Sequence, residues 1–365
     1  MINKNIIIIT GGSLGHIIPG IIIGNLLIKK KYNIYWILNN KEEKIYIKKY
    51  NTNINVIIIK LFKKKKKNIF FILNFFVYIF FIISYILKCL YILFNIKPIF
   101  ILCLGNMSIF LCILSWIINI PIIIHEQNSI LGRSNYIVNF ISKKTIKSIR
   151  YNYYYDNNFI IIKNPIREEF NNYKYNNKNY NSNILKILIL GGSKGSKFIN
   201  FNILKFISLI KNNNLLIWHQ IGNEYIDVII NEYKKYNLLN SLYKIDNLIY
   251  NISYAYYWTD FVISRCGAMS ISEIIYTKTP SILIPLETKD NHQYYNTFFL
   301  RKNNFSKVIV EKDLNFNSKL EYYIKLFSNK KYLLFINKEM KKKIKYNIKK
   351  INKKFLIELN NEFKY

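Results

Sequence analysis

Two short segments hold most of the glycines of this chain, and each has the composition of an anion-binding turn. Five of the 12 glycines lie between positions 11 and 24, in a run that begins Gly11-Gly12-Ser13-Leu14-Gly15-His16, and three lie in Gly191-Gly192-Ser193-Lys194-Gly195. Each run follows an apolar strand pattern and precedes a helical one. Glycine permits a tight turn, and a helix N-terminus offers free N–H groups to a negative charge. Both runs are therefore candidate diphosphate sites.

Polar residues in and near these turns narrow the chemistry. His16, at the start of a predicted helix, is unusual for a purely structural turn, although a helix-capping role is the alternative. Ser193 and the neighbouring amides are expected to hold a diphosphate, whereas Lys194 is expected to be solvated. A dinucleotide site requires an acidic residue near the end of the second strand, where Asn39 and Asn40 stand. This argues against an NAD-binding function.

A third candidate element spans residues 264–273, with the sequence Ser-Arg-Cys-Gly-Ala-Met-Ser-Ile-Ser-Glu. It follows an apolar strand pattern and opens a helix. A carboxylate about one turn into such a helix can accept hydrogen bonds from both hydroxyls of a ribose, so Glu273 is the candidate for nucleotide recognition. The alternative is that Glu273 only interacts favourably with the helix dipole.

Two further polar runs follow predicted strands. His125-Glu126-Gln127-Asn128 lies in the first half of the chain, and the run from Asp290 to Asn296 lies in the second. Ligands of open α/β sheets bind beyond the carboxyl ends of the strands. Three of the four histidines, His16, His125 and His292, fall in these motifs, and His219 is expected to lie in the core.

The pattern of elements predicts two similar α/β halves. Strands are predicted at Ile6–Ile9, Asn33–Leu38, Pro98–Leu104 and Pro121–Ile124, and then at Leu185–Leu190, Leu215–His219, Phe261–Ser264, Ser281–Leu286 and Lys307–Val310. Continuous apolar runs between helices are typical of buried parallel sheets. We therefore expect two Rossmann-like domains facing across a cleft.

The polar tract 171–183 is the candidate boundary region. We expect an N-terminal domain at 1–165, a C-terminal domain at 166–340, and a tail at 341–365. The tail is expected to be helical and to pack back on the N-terminal domain.

Composition restricts the remaining possibilities. The 54 Lys and Arg against 20 Asp and Glu give a net charge of +34, which is typical of proteins that meet nucleic acid, anionic lipid or phosphorylated substrates. Because the chain is saturated with Ile, Lys, Asn, Tyr and Phe, whose codons are rich in A and T, charge alone does not identify a partner. The four cysteines form no C-x-x-C motif, which indicates reduced structural thiols and no metal site. No secretory signal pattern opens the chain.

The segment Ile69–Leu87 is nearly all apolar and follows five lysines, Lys63–Lys67. It is long enough to be a transmembrane helix. The alternatives are a helix that lies at the membrane interface and a helix buried in the sheet domain. A span inside a βαβ unit would divide the first domain across the membrane. An interfacial helix, with Lys63–Lys67 attracted to anionic headgroups, is therefore favoured.

Together these motifs resemble the MurG family, the peptidoglycan N-acetylglucosaminyltransferases that convert lipid I to lipid II. The resemblance runs from about Ile6 to Leu300 and lies in T-G-G-S-L-G-H-I-I-P-G, H-E-Q-N-S-I-L-G-R-S-N, K-N-P-I-R, G-G-S-K-G-S-K-F-I-N, W-H-Q-I-G, S-R-C-G-A-M-S-I-S-E and K-D-N-H-Q-Y-Y-N, in the family's order. It implies a GT-B fold, with the lipid I acceptor in the first domain and UDP-N-acetylglucosamine mainly in the second. It also implies a peripheral protein at the cytoplasmic face of the cell membrane.

The resemblance assigns roles to individual positions. His16 would be the general base or a contact to the acceptor pyrophosphate, and His125 and Glu126 would lie on the acceptor side. The residues assigned to the donor are Ser13, Leu14, Gly15, Asn128, Arg167, Ser193, Ile249, Ala268, Met269, Ser270, Ile271, Ser272, Glu273 and Gln293. Of these, Arg167 and Ser193 would address the phosphates, Ile249 the uracil and Gln293 the sugar.

An inverting transfer needs a base for the acceptor hydroxyl and stabilisation of departing UDP, but no protein nucleophile. Since no Asp-x-Asp pair is present, transfer without a metal or cofactor is expected. A related transferase acting on diacylglycerol and a decayed, non-catalytic lipid- or nucleic-acid-binding relative are the alternatives, and no nucleic-acid partner is expected. Leu14, the 105–108 loop, Lys163 and His292 depart from the family pattern, mostly in elements implied to bind the acceptor.

Overall fold

The computed structural model describes residues 4–38, 41–50, 55–59, 71–105, 109–151, 159–173, 175, 182–210 and 214–360. The chain divides into two compact units. One comprises Met1–Pro165 together with Lys349–Tyr365, and the other comprises Ile166–Ile348. The division after Pro165 lies before the polar tract 171–183.

The first unit contains a seven-stranded parallel sheet in the order β3-β2-β1-β4-β5-β6-β7. Its strands are β1 (Asn5–Thr10), β2 (Asn33–Leu38), β3 (Asn55–Ile58), β4 (Phe100–Leu104), β5 (Ile122–Glu126), β6 (Lys144–Lys147) and β7 (Ile160–Ile161). Its helices are α1 (Leu14–Lys29), α2 (Lys41–Tyr50), α3 (Phe71–Ile96), α4 (Ile109–Ile117) and α5 (Arg133–Asn139). The strand order is that of a Rossmann-like sheet, and it reverses between β1 and β4.

The second unit repeats this order in a six-stranded parallel sheet, β10-β9-β8-β11-β12-β13. Its strands are β8 (Ile184–Leu190), β9 (Asn214–Gln220), β10 (Leu242–Asp246), β11 (Phe261–Ser264), β12 (Ser281–Leu283) and β13 (Ser306–Val308). Its helices are α6 (Lys197–Ile207), α7 (Ile226–Lys235), α8 (Ile252–Trp258), α9 (Ala268–Thr277), α10 (His292–Asn296), α11 (Phe298–Lys302), α12 (Phe316–Ser328) and α13 (Lys330–Lys343). The predicted pair of Rossmann-like sheets is confirmed.

Two glycines of the first cluster serve helix packing rather than anion binding. A Cβ atom on Gly20 would lie 3.1 Å from the ring of Trp36, and one on Gly24 would lie 2.9 Å from it. Trp36 is buried in β2. The absence of side chains at these two positions therefore lets α1 lie directly on the indole ring.

Strands β3, β6, β7 and β10 are additions to the predicted elements, and two predicted elements differ from the observed ones. The strand predicted at Ser281–Leu286 ends at Leu283, shortly before Pro285, which has no N–H for a ladder hydrogen bond. The tail predicted to be helical from Lys341 instead contains the end of α13, at Lys343, and a separate helix, α14 (Ile348–Asn360).

Helix α14 packs on the sheet of the first unit. The Phe355 ring meets the His125 ring edge to face, with centroids 5.0 Å apart. Lys144 Nζ lies 3.6 Å from Glu358 Oε2, and Lys354 Nζ donates to the carbonyl of Ile161 at 3.1 Å. The C-terminal helix thus covers the side of the sheet that carries β5 to β7.

Helix α3 has a buried face and an exposed apolar face. Cys89, Ile92, Leu93 and Ile96 belong to the core of the first unit, while large apolar side chains of the same helix are exposed. No helix within the described residues has the length and apolar character needed to span a bilayer. Lys63–Lys67 and the start of the predicted segment, 69–70, lie outside the described residues.

Candidate functional site

Backbone contact between two turns shapes the candidate site of the second unit. The run 191–196 follows β8, and Gly192 and Gly195 adopt φ values of 90° and 80°. A Cβ atom on Gly195 would lie 2.2 Å from the carbonyl oxygen of Ile221, and one on Gly222 would lie 2.0 Å from the amide nitrogen of Gly195. Only glycine fits where the two turns meet.

Gln220, at the end of β9, ties this loop to the predicted uracil contact. Its Nε2 donates to the carbonyl of Gly192 at 2.9 Å, and its Oε1 accepts from the amide of Ile249 at 3.0 Å. Sequence reasoning gave Gln220 no role, although it stands in the W-H-Q-I-G run. One amide side chain thus fixes the positions of a candidate phosphate loop and a candidate base contact.

Arg167 and Glu273, predicted to meet different parts of a nucleotide, contact each other. Arg167 Nη2 donates to Glu273 Oε1 at 2.9 Å, with 11% and 7% of the two side chains exposed. Burial raises the pKa of Glu273, and the Arg167 guanidinium acts in the opposite direction. Glu273 is in the second turn of α9, and no acidic residue lies in its first turn, so the helix-dipole alternative has little support.

Arg265 is a further residue that sequence reasoning left without a role. Its Nη2 donates to the Ser196 hydroxyl at 2.6 Å, its Nη1 donates to the carbonyl of Ile284 at 3.2 Å, and it forms an ion pair with Glu311. Ser196 in turn caps α6 by accepting from the amide of Ile199 at 3.3 Å. A buried guanidinium therefore connects the glycine loop to the segments that follow β12 and β13.

Gln293 is held with its amide group in a defined orientation. Its Oε1 accepts from the amides of Cys266 at 3.1 Å and Leu286 at 3.0 Å. The half-buried side chain therefore directs its NH₂ group away from both loops. An amide NH₂ held in this way is suited to donating to a hydroxyl or carbonyl oxygen of a sugar.

The remaining predicted residues of the second unit occupy its loop and helix ends. Ser193 is half-buried and Lys194 is exposed, as expected for a solvated lysine. Ala268 begins α9, in which Met269, Ile271 and Ser272 are buried and Ser270 is half-buried. His292 contacts Asp290 Oδ1 at 2.8 Å. His219 lies in the core, as predicted.

In the first unit, the His16 side chain reaches across to the segment after β5. His16 Nδ1 lies 2.7 Å from Gln127 Oε1, so the ring does not cap its own helix. Gly105, at φ 123°, packs on the ring, since a Cβ atom there would lie 3.1 Å from His16 Cγ. Asn106, Met107 and Ser108 lie outside the described residues. Ser13 is exposed, and Leu14 and Gly15 are half-buried.

His125 and Glu126 lie inside the unit, with 0% and 1% exposed. Glu126 Oε1 accepts from the amide and the side chain of Asn128, and its Oε2 accepts from the amide of Gly132 and the side chain of Asn135, at distances of 2.8–3.0 Å. Four donors satisfy this buried carboxylate. The carboxylate thereby holds the segment 126–135, in which Asn128 is half-buried.

An acidic residue also meets the first glycine turn. Gly12 N donates to Glu43 Oε1 at 2.9 Å, and Glu43 is buried at the start of α2. Asn39 and Asn40, which stand where a dinucleotide site requires an acidic residue, lie outside the described residues. The Gly12 amide, which is expected to face a pyrophosphate, thus already donates its hydrogen bond to the Glu43 carboxylate.

Among the described residues, no group of three or more His, Cys, Asp or Glu side chains is arranged to hold a metal ion.

The chain matches two family descriptions and many full-length relatives. The glycosyltransferase family 28 N-terminal domain matches residues 6–149 and the family 28 C-terminal domain matches residues 186–355. The UDP-N-acetylglucosamine–N-acetylmuramyl-(pentapeptide) pyrophosphoryl-undecaprenol N-acetylglucosamine transferase of Buchnera aphidicola subsp. Baizongia pistaciae is 35% identical, over 96% of this chain and 98% of that protein. The protein of the same name from Wigglesworthia glossinidia brevipalpis is 32% identical, over 98% and 96%.

Solved structures show the same fold. The crystal structure of Acinetobacter baumannii MurG has a TM-score of 0.74 at 19% identity and covers 97% of this chain and 99% of that chain. The structure of LpCGTa in complex with UDP has a TM-score of 0.62 at 10% identity, covering 99% of each chain.

The contact between the two turns of the second unit predicts unequal effects of alanine at two glycines. Gly192→Ala places a side chain in the left-handed region with nothing within 4 Å of its Cβ, and should lower the free energy of unfolding by about 1–2 kcal/mol. Gly222→Ala adds a backbone clash and should cost at least about 2 kcal/mol more. Urea denaturation followed by tryptophan fluorescence measures both. Equal losses would show that backbone conformation alone requires glycine.

The buried ion pair predicts a pH-dependent loss of stability. Because the folded-state pKa of Glu273 is raised, its contribution to stability is present below the unfolded pKa of about 4.3 and is lost as pH rises through the folded value. Arg167→Met raises that pKa further and should cost about 3–5 kcal/mol at neutral pH and less near pH 5. Thermal denaturation at both pH values tests this. The double variant Arg167→Met/Glu273→Gln is the control, and it should lose this pH dependence.

Proposed function

The chain belongs to the MurG family within glycosyltransferase family 28, and we propose that it transfers N-acetylglucosamine from UDP-N-acetylglucosamine to lipid I, giving lipid II for peptidoglycan synthesis. It is a UDP-sugar glycosyltransferase with the α/β GT-B fold. The observation that carries the proposal is the similarity to transferases of that name over nearly the whole chain.

We assign UDP-N-acetylglucosamine mainly to the second unit. The amides of 192–195 and the Ser193 hydroxyl suit a diphosphate, because they form a glycine turn before a helix N-terminus. Arg167 supplies the cation for the phosphates and Glu273 the acceptor for the ribose hydroxyls. Residues Ala268–Ser272 begin the helix beside them, Ile249 meets the uracil, and the oriented NH₂ group of Gln293 donates to the sugar.

We assign lipid I and the general base to the first unit. His16 accepts the proton of the acceptor 4-hydroxyl as its oxygen forms a bond to the anomeric carbon, and the bond from that carbon to UDP breaks. The departing charge is stabilised by amides and Arg167 without a metal ion. We assign Ser13, Leu14, Gly15 and Asn128 of this unit to the donor. Glu126 acts on the acceptor through the turn that it holds, and His125 is assigned to the acceptor side beside it.

We also propose that the first unit docks on the cytoplasmic face of the cell membrane. Helix α3 packs on α4, and α4 on α5, and their exposed side chains are mostly aromatic or branched. This membrane face comprises Phe80, Ile83, Leu87, Tyr91 and Phe94 of α3, Phe110, Trp116 and Ile117 of α4, and Tyr136, Ile137 and Phe140, at or beside α5. Neighbouring exposed apolar residues with amphipathic rings suit a lipid interface. Contact of Lys63–Lys67 with anionic headgroups is part of this proposal.

Transfer is tested with radiolabelled UDP-N-acetylglucosamine and lipid I. The wild type should form lipid II, and His16→Ala should lower kcat by roughly 10²-fold or more, since the general base is lost. UDP binding to the second unit should be unchanged. Product with diacylglycerol but not with lipid I would contradict the proposed acceptor, and donor binding without any turnover would support a decayed enzyme.

Membrane docking is tested by co-sedimentation with vesicles of phosphatidylglycerol and phosphatidylethanolamine. Trp116→Ser combined with Phe140→Ser should weaken binding by about tenfold or more, because two exposed aromatic side chains no longer enter the interface. The matched control is Tyr225→Ser, which removes an exposed aromatic ring of the second unit and should leave binding unchanged. Equal binding of all three proteins would exclude this face as the contact.

A further inference from the structure

Four polar side chains of the first unit form one continuous chain of hydrogen bonds. His16 Nδ1 lies 2.7 Å from Gln127 Oε1, and Gln127 Nε2 lies 3.2 Å from His125 Nδ1. His125 Nε2 lies 2.8 Å from the Ser148 hydroxyl. The residues come from α1, the segment after β5, β5 itself and the residue after β6. Gln127, His125 and Ser148 are buried. His16, which is at one end of this series of hydrogen bonds, is half-buried.

The orientation of the Gln127 amide follows from one contact. Its Nε2 lies 2.9 Å from the backbone carbonyl oxygen of His125, and a carbonyl oxygen only accepts hydrogen bonds. The group facing that carbonyl must therefore be the NH₂. An amide flipped by 180° would place two oxygen atoms against each other in a buried site, which is costly. The Gln127 oxygen therefore faces His16.

This orientation determines the tautomer of His16. The amide oxygen of Gln127 can only accept, so His16 Nδ1 must carry the hydrogen in the 2.7 Å contact. In the neutral ring Nε2 then holds a lone pair and no hydrogen. The Nε2–H form, which a free imidazole side chain prefers in water, would place two lone pairs against each other.

The hydrogen bonds of His125, at the other end of the series, are consistent with this tautomer of His16. Since Gln127 Nε2 is a donor, His125 Nδ1 accepts, and the hydrogen of His125 lies on Nε2 and is donated to Ser148 Oγ. Burial lowers the pKa of His125 to about 3, and the proximity of His16 lowers it too. His125 therefore stays neutral and keeps an acceptor nitrogen toward Gln127. The carboxylate of Glu126 is turned away to its four donors.

We propose that Gln127 is a positioning residue that holds His16 as the Nδ1–H tautomer, leaving Nε2 free to accept a proton. The part that concerns a base rests on the proposed function, whereas the tautomer does not. The partner that orients the ring is a neutral amide rather than a carboxylate, so it fixes the direction of the lone pair without adding a full negative charge beside the ring. Gly105, packed on the same ring, leaves room for this orientation.

The tautomer can be read directly by NMR of the whole chain with ¹⁵N-labelled histidine. With four histidines, two-bond proton–nitrogen correlations are few, and His16→Ala identifies the His16 signals by their loss. At about pH 8.5, two units above the ordinary histidine pKa, the wild type should show protonated Nδ1 and unprotonated Nε2 for His16. In Gln127→Met, which keeps the length of the side chain but cannot accept, His16 should change to Nε2–H. Protonated Nε2 in the wild type, or the same tautomer in both proteins, would overturn the proposal.

Kinetics provide the second readout. Gln127→Met should lower kcat for lipid II formation by roughly 10²-fold, as expected for a misoriented base, with KM for UDP-N-acetylglucosamine unchanged. Ser148→Ala is the matched control, because it removes the far end of the chain while the His125 carbonyl still orients Gln127. It should leave both the tautomer and kcat unchanged, and equal losses in the two variants would reduce Gln127 to a structural role.

The two proposals fail in distinguishable ways. If the wild type does not glycosylate lipid I, the proposed function is wrong, and the NMR experiment still decides the tautomer. If Gln127→Met does not fold, the wild-type correlations alone decide whether His16 carries its hydrogen on Nδ1.

Discussion

Direct backbone contact between two glycine turns sets the shape of the candidate site in the second unit. The chain at Gly195 and Gly222 leaves no room for a methyl group on either residue. With the turns in contact, the Gln220 amide reaches both the carbonyl of Gly192 and the amide of Ile249. Arg265 then supports the same loop from the opposite end through Ser196. The loop amides are therefore fixed by atoms that need not touch a nucleotide, and dipoles held in place before the reaction need no reorganisation during it.

The first unit fixes its polar groups by different means. Strand β5 ends in the motif His125-Glu126-Gln127-Asn128, whose residues make different contacts. Glu126 accepts hydrogen bonds from four N–H groups of the following segment. The backbone carbonyl of His125 accepts a hydrogen bond from the side-chain amide of Gln127. Asn128 is half-buried, whereas the other three residues of this motif are buried. Burying a carboxylate is costly unless it is fully hydrogen-bonded, so this turn can adopt few other arrangements. The His16 imidazole is thus held by a rigid support although its own helix does not hold it.

Strands β1, β4, β5 and β8 were predictable because they are continuous apolar runs that border glycine or proline, and the few glycines stand out against an Ile-, Lys- and Asn-rich background. Strands β3, β6, β7 and β10 were not predicted. The helical break in the tail was not predictable. Ile344, the residue after α13, and Ile348, the first residue of α14, keep a helical spacing although the helix is interrupted between them. Periodicity alone does not show where the backbone turns. Partner side chains were also missed. His16 and Gln127 are 111 positions apart, and Gly12 and Glu43 are 31 apart. Their contacts depend on strand order and on the direction of each side chain at a strand end, neither of which a local pattern encodes.

The packing of Trp36 against Gly20 and Gly24 couples the residue types that these three positions can hold. Glycine and tryptophan codons are rich in G, so a genome drifting toward A and T would be expected to erode all three. A larger residue at position 24 would collide with the indole ring 2.9 Å from its Cβ, and a smaller residue at position 36 would leave a cavity under the helix. Each change made alone therefore costs stability. We expect sequences that lose the tryptophan to carry a larger side chain on the helix.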